Sequence, residues 1–354
     1  MAILFLFSLI SGLLFLLLFR DVGPQEHKIP PDDYLALYKH NADYFLDTGK
    51  IPVRSPGSEA GSIVPPGYSL VLVAPFMLAS WLQVSEVSVI IAFNVLLASL
   101  SVLLLFLIAE RIFNKKVALI ASLLWATYPI SLWFLKNTHT EIPFIFLFFA
   151  AILIFLVGLG QNKLWFALGV GLLLGIAALI RPIALFLPVV FALIAFFGSW
   201  ELHWRRKSAF AAFVLLGYLL VISPWILYVF LDTEEFILLG DYDTATIEAG
   251  LMFAIRGHTL PIAVPDDVRS IMEEVKAKDF PTKKDLVEYS IQKLRSDPMP
   301  FSKLLLLKAV RSLYATAQGW QEEPRLLALQ LFYLIPALLG VFFALRIDKD
   351  KRSS

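Results

Sequence analysis

Apolar positions along this chain come in long uncharged runs, broken by short charged segments. The opening run, "MAILFLFSLISGLLFLLLF", holds nineteen residues without a charge. At about 1.5 Å per residue it nearly spans a roughly 30 Å hydrocarbon core. Runs of similar kind predict helices near 2–19, 87–109, 117–135, 142–159, 164–180, 182–199, 209–231 and 326–345. A further run, "PPGYSLVLVAPFMLASWL" at 65–82, has prolines at its start and middle. Its pattern fits a span, an interfacial helix or a segment that dips partway. Residues 29–52, "IPPDDYLALYKHNADYFLDTGKIP", follow a different rhythm. Pro30, Pro31 and Asp32 signal a helix start. Positions 34, 37, 38, 41, 42 and 45 then share one face, as on a helix lying on a membrane surface. Gly49 and Pro52 close it.

Charge sets the expected topology. The segments "ERIFNKK" (110–116), "GQNK" (160–163), "WELHWRRK" (200–207) and "RIDKDKRSS" (346–354) hold eleven basic residues. Short basic loops stay cytoplasmic, and all four share a side only if 65–82 does not cross. The expected fold is an all-α polytopic membrane protein with about eight transmembrane helices and both termini cytoplasmic. Residues 20–86, 136–141, the 180–182 junction and 232–301 then face outward. The expected division is a transmembrane module at 1–231, with 20–86 as its first external loop. An external loop or small cap follows at 232–301, with a helical pattern at 283–296. Residues 302–354 hold an interfacial helix, a last span and a basic tail. The first run lacks the basic start and cleavage site of a signal peptide, so a retained helix is expected.

Composition narrows the function. The chain has 354 residues, 58% of them hydrophobic, above the usual soluble fraction of roughly 45–50%. The net charge of +1 gives no signal for nucleic acid. Cysteine is absent, which excludes disulfides and thiol chemistry. The histidines, at 27, 40, 139, 203 and 258, show no metal-binding spacing, so no metal site is predicted. Mg²⁺ or Mn²⁺ on Asp32, Asp33 or Glu141 stays open. No phosphate-binding glycine loop is present, which argues against a nucleotide.

Several polar residues sit where burial is expensive. Asp32 and Asp33 suit a helix start, where free N–H groups favour carboxylates. A carboxylate fixed at a membrane surface also suits a general base. Arg181 lies at the junction of two apolar runs, "AALIRPIALF", a costly place for a charge. It suits either a phosphate or lipid headgroups. Lys303, Lys308 and Arg311 fall within an arc of roughly 140° on one predicted helix, a basic stripe suited to phosphate or anionic lipid. His139 and Glu141 occupy a tight outer loop, where Glu141 can orient an acceptor, hold a metal or pair with Arg181.

Taken in order, these segments resemble the GT-C integral-membrane glycosyltransferases. The likeness is to the dolichyl-phosphate-mannose–protein mannosyltransferase and aminoarabinose-transferase type (glycosyltransferase family 39). The matching features are Asp32-Asp33, Tyr38, Ala42 and "TGKIP", then "PPGYSL" with Tyr68, and "NTHTEIPFIFLFF" with Glu141 where the family usually has Asp. "LIRPIALFLP", "SPWILYVF" and the weaker "KAVRSLYATAQGW" follow. The spacing from Asp33 to Tyr38 is five residues where the family often has four, so the choice between Asp32 and Asp33 stays open. The resemblance implies transfer of a sugar from a polyprenyl-phosphate donor to an acceptor hydroxyl on a protein, lipid or glycan, with inversion. Asp33, or else Asp32, would be the base. Arg181, Glu141, Tyr38, His139 and Tyr68 would bind substrate, with Lys303, Lys308 and Arg311 as further cations. The expected setting is a prokaryotic plasma membrane with the site facing outward, and lipids as partners. A polymerase, ligase or non-catalytic subunit of surface-glycan assembly, or a lipid or solute transporter, are the alternatives. Against a transporter, the sequence shows no midplane charges and no repeats.

Overall fold

The structure, a computed structural model, describes residues 1–19, 34–55, 62–136, 138–198, 202–241, 250–251, 264–278, 280, 282–312 and 327–340. Asp32 and Asp33 lie outside the described residues. The chain divides into two compact units, Met1–Asp241 and Tyr242–Ser354.

Among the described residues the regular elements of the first unit are helices, with one isolated bridge between Arg54 and Ile63. It opens with α1, Ala2–Leu18. A π-helical turn, Tyr34–Lys39, runs into α2, His40–Thr48. Gly49 ends α2 at φ 68°, a backbone conformation that glycine adopts without strain. α3 is Gly67–Leu82 and α4 is Glu86–Ile112. α5, Lys115–Ala126, starts at Asn114, whose Oδ1 accepts from the Lys116 and Val117 N–H groups at 3.0 Å. Pro129 then breaks the run. The next piece, α6 (Pro129–Trp133), is bent away with its 3₁₀ extension by 45°. α7, Glu141–Gln161, and α8, Leu164–Ile180, follow. A 3₁₀ turn at Pro182–Phe186 leads into α9, Leu187–Phe197, and α10 is Trp204–Thr233.

α8 sits in the middle, between α10 and α7. α7 packs on α4, α4 on α1 and α5, and α9 on α10. In a bilayer, helices associate through close backbone approach rather than through hydrophobic burial, so small residues mark the contacts. Gly171 and Gly175 of α8 form such a pair, spaced four apart. A Cβ on Gly171 would overlap the Val214 carbonyl oxygen of α10, and one on Gly217 of α10 would overlap the Leu168 carbonyl oxygen. A Cβ on Gly175 would lie 2.6 Å from the Val221 Cβ. Ala167, Val170, Leu174 and Ala178 beside these glycines are wholly buried.

Three helices, Glu86–Ile112, Glu141–Gln161 and Trp204–Thr233, are long and apolar enough to cross a membrane. The bent pair Lys115–Ala126 and Pro129–Lys136 makes a fourth if it forms one span. The other apolar helices have at most 17 residues, or about 25 Å. Helix length therefore supports three to four spans where eight were expected, although a helix stands at each expected position. The run at 65–82 forms α3, and its surroundings bear on its path. Tyr68 meets Tyr38, Phe76 meets Lys39, and Lys39 also reaches Glu86 at the start of α4. One dipeptide thus touches α3 near its start and its middle, and the first residue of α4.

In the second unit, α11 is Asp266–Ala277, α12 is Lys283–Ser296, α13 is Pro298–Arg311 and α14 is Leu327–Gly340. α12 occupies the stretch whose sequence pattern is helical. Thr282 and Asp285 cap it reciprocally. Val268, Ile271, Met272 and Val275 of α11, Leu286 and Tyr289 of α12, and Phe301 and Leu304 of α13 share one core. α13 thus packs with α11 and α12 in one helical unit, and the expected 301/302 boundary falls within α13.

Candidate active site

One end of the first unit gathers four separate segments. Gly67 is the closest point. A Cβ there would lie 2.6 Å from the Leu179 carbonyl oxygen and 2.7 Å from the Ile180 nitrogen. Only glycine lets the start of α3 press on the last turn of α8, which brings Tyr68 beside Ile180. Tyr68, Ala42, Leu72, Phe76, Ile90 and Ile180 form one buried cluster, with Tyr38 and Phe144 packed against it. The Tyr38 and Tyr68 rings meet edge to face at 5.0 Å. Ala42 is wholly buried, so the small residue four positions after Tyr38 is a packing requirement.

Arg181 ends α8 in extended backbone, just past that cluster. Its guanidinium pairs with the Glu141 carboxylate and donates to Thr140 Oγ1 at 2.8 Å. Both charges remain partly exposed, at 31% and 23% of their side chains. Glu141 is the first residue of α7, where free N–H groups favour an anion. Its second oxygen, Oε2, is buried without a hydrogen-bond partner, as are Asn41 Oδ1, Ser69 Oγ and Thr138 Oγ1. These four atoms belong to segments that meet here: α2, α3, and the α7 start with its preceding loop. Each such group costs about 1–3 kcal/mol unless something else bonds it. Their concentration at one end marks a place suited to a polar ligand.

The loop that follows α2 folds over the neighbouring end of α10. Tyr228 donates to the Ile51 carbonyl at 2.7 Å, and Trp225 Nε1 donates to the Leu239 carbonyl at 2.9 Å. Asp241 accepts from the Ile63 N–H at 2.8 Å through Oδ1. The "SPWILYVF" motif therefore pins the first loop to the end of the bundle that holds Arg181.

Of the residues singled out by sequence, Tyr38, Tyr68, Glu141 and Arg181 come together. His139 lies on the same loop as Glu141, its ring edge-on to Phe134 at 5.8 Å. Lys303, Lys308 and Arg311 belong to the second unit, where Lys308 and Arg311 turn toward its interior and Lys303 stays exposed. Lys303 bonds Asp267 at 2.6 Å, Arg311 is buried, and Lys308 is half-buried against Gly250. Burial holds the Lys308 ammonium below the ordinary lysine range. Among the described residues no group of three or more acidic or histidine side chains gathers to hold a metal.

Two features of the site lay beyond the sequence reading. Lys39 bonds Glu86 at 2.6 Å and Asp43 at 3.3 Å, and its ammonium lies 4.7 Å from the centre of the Phe76 ring. Burial alone would lower its pKa, but the bonds to Glu86 and Asp43 outweigh that and raise it. Lys39 is thus a clasp between the surface helix, α3 and α4. Its only signal is that it directly follows Tyr38. Asn41 has a clearer one: it is the polar residue on the otherwise apolar face of the predicted helix.

No curated protein and no solved structure matches the chain. Over residues 64–228, somewhat under half of its length, the sequence matches the family model described as dolichyl-phosphate-mannose-protein mannosyltransferase. That stretch runs from just before α3 to the Tyr228 contact, and it contains Tyr68, His139, Glu141 and Arg181. With its apolar helices the chain is an integral membrane protein, and over residues 64–228 it is similar to that mannosyltransferase family, which is of the GT-C type its motifs resemble.

Proposed function

We propose that this protein moves a sugar from a polyprenyl-phosphate donor to an acceptor hydroxyl, by inverting displacement at the external face of the membrane. The observation that carries the reading is the Arg181–Glu141–Thr140 node, set among buried polar atoms that lack a partner. Inverting transfer needs three things. A base takes the acceptor proton as its oxygen attacks the anomeric carbon. A cation stabilises the phosphate as it leaves with the bonding electrons. An apolar surface holds the lipid tail.

Arg181 is the proposed phosphate cation, because its charge sits at the edge of the apolar bundle and its side chain stays 31% exposed beside Glu141. Glu141 holds the guanidinium in place and orients the acceptor with its free oxygen. Tyr38 and Tyr68 support the wall against which the sugar docks. Asp33, or else Asp32, is the proposed base: Asp33 directly precedes the helical run that carries Tyr38. On this reading eight segments cross the membrane and α3 lies at the interface, supported by its contacts with Tyr38 and Lys39 at one end of the bundle. The sugar and acceptor are open.

The test is transfer of labelled sugar from a panel of polyprenyl-phosphate sugars by the purified protein in liposomes. Asp33→Asn or Asp32→Asn is expected to abolish turnover while donor binding persists. Arg181→Ala is expected to weaken donor binding and turnover together, by roughly 100-fold or more for a charge aimed at the leaving group. Turnover unchanged in both Asn variants and in Arg181→Ala would sink the proposal.

A further inference from the structure

The three packed helices of the second unit show different faces to their surroundings. α11 turns Asp266, Ser270, Glu273 and Lys276 outward, as a helix in water does. α13 does the reverse. It buries Phe301, Leu304 and Arg311, half-buries Lys308, and leaves Met299, Leu306 and Val310 exposed at 67%, 65% and 48%. At 100° per residue these three share an arc of roughly 40°, so they form a stripe rather than scattered contacts. Lys303, at the edge of the stripe, is drawn aside by Asp267 at 2.6 Å. A helix that withdraws Lys308 and Arg311 and shows Leu305 and Leu306 is not facing water.

We infer that α13 lies flat on the lipid surface, with Met299, Leu306 and Val310 seated at the boundary between headgroups and hydrocarbon. What covers the stripe is indicated by the chain itself. α14 follows after residues 312–326 and is apolar and exposed along its length, with Phe332, Ile335, Leu338 and Leu339 all open. The unit that carries α13 therefore brings its own membrane segment, and α13 ends only a short connection away from it. A surface helix needs a large apolar stripe and polar residues elsewhere, which α13 provides once its buried side is taken up by the core. Of the basic stripe expected to meet the membrane, Lys308 and Arg311 face inward instead, and the apolar side takes their place. This inference does not depend on the protein transferring a sugar.

The absence of cysteine makes the test direct. Full-length Leu306→Cys, Val310→Cys and Glu273→Cys variants are each labelled with an environment-sensitive fluorophore. They are reconstituted in phosphatidylcholine–phosphatidylglycerol vesicles, with or without nitroxide-labelled lipid. The expected result is several-fold stronger quenching at 306 and 310 than at 273 on α11. Quenching no greater at 306 and 310 than at 273 overturns the inference. So does a disulfide between two chains through position 306, which would assign the stripe to a second copy.

Discussion

At the scale of the residue, the site depends on side chains that hold others in place. Lys39 clasps α2 to α3 and α4 through Glu86, Asp43 and Phe76. It directly follows Tyr38, so losing the clasp frees the ring that packs on Tyr68. Lys39→Met is expected to lower sugar transfer roughly tenfold, a loss of about 1.4 kcal/mol in transition-state stabilisation, while Lys39→Arg keeps most of it. The check is the rate of labelled-sugar transfer in liposomes. Equal rates in Lys39→Met and wild type would show that α2 is held by its apolar face alone. Glu141 and Arg181 were both legible in the sequence as charges at the ends of apolar runs. Their pairing was one of several open roles for Glu141, because forty residues of chain separate them.

At the scale of the element, two glycine contacts set helix positions. Gly171→Ala would push a methyl group into a backbone carbonyl of α10, which cannot swing aside as a side chain can. A loss of about 1–3 kcal/mol is expected from such overpacking, read as a lower unfolding temperature in detergent. Gly67→Ala acts at the rim rather than the centre. It is expected to lower the unfolding temperature as well and to cut transfer activity, since α3 must move off Leu179 and Ile180. In the second unit, Lys293 bonds Glu274 at 2.7 Å and Asp297 at 3.1 Å. The Lys293 bond holds the Glu274 carboxyl below its ordinary 4.5, against an opposing effect of burial. A carboxyl lowered in the folded state stabilises above its unfolded pKa, and that stability is lost as pH falls through the folded value. Amide exchange in α11 and α12, corrected for intrinsic rate, should therefore stay slow above pH 4.5 and quicken below it. Glu274→Gln should weaken that dependence, leaving the part due to Asp267, which Lys303 holds below its ordinary value.

At the scale of the whole molecule, the governing question is which ends of the helices share a side. Contacts of Gly67 with Leu179, Arg181 with Glu141, Ile51 with Tyr228 and Ile63 with Asp241 gather four loops at one end. The basic segments around Lys116 and Lys207 lie beyond the far ends of the same helices. With the proposed orientation, Lys50→Cys and Glu235→Cys should react with an impermeant maleimide added to intact cells. Lys116→Cys and Lys207→Cys should react only in inverted vesicles. Labelling of positions 50 and 116 from the same side would overturn the topology.

The sequence by itself determined the class and the order of the elements. Apolar runs without charge can only be satisfied as helices in lipid, and a helix stands at each predicted run. It also marked Arg181, Glu141, Tyr38 and Tyr68, because a charge or an aromatic ring beside a membrane run is expensive or placed with purpose. Tertiary structure alone decided that these residues meet, because Gly67 and the Gly171–Gly175 pair act through backbone proximity that no one-dimensional pattern encodes. It also decided which way α13 faces. The sequence shows a helix with a basic stripe and an apolar stripe. Only the core built by α11 and α12 fixes which stripe is buried.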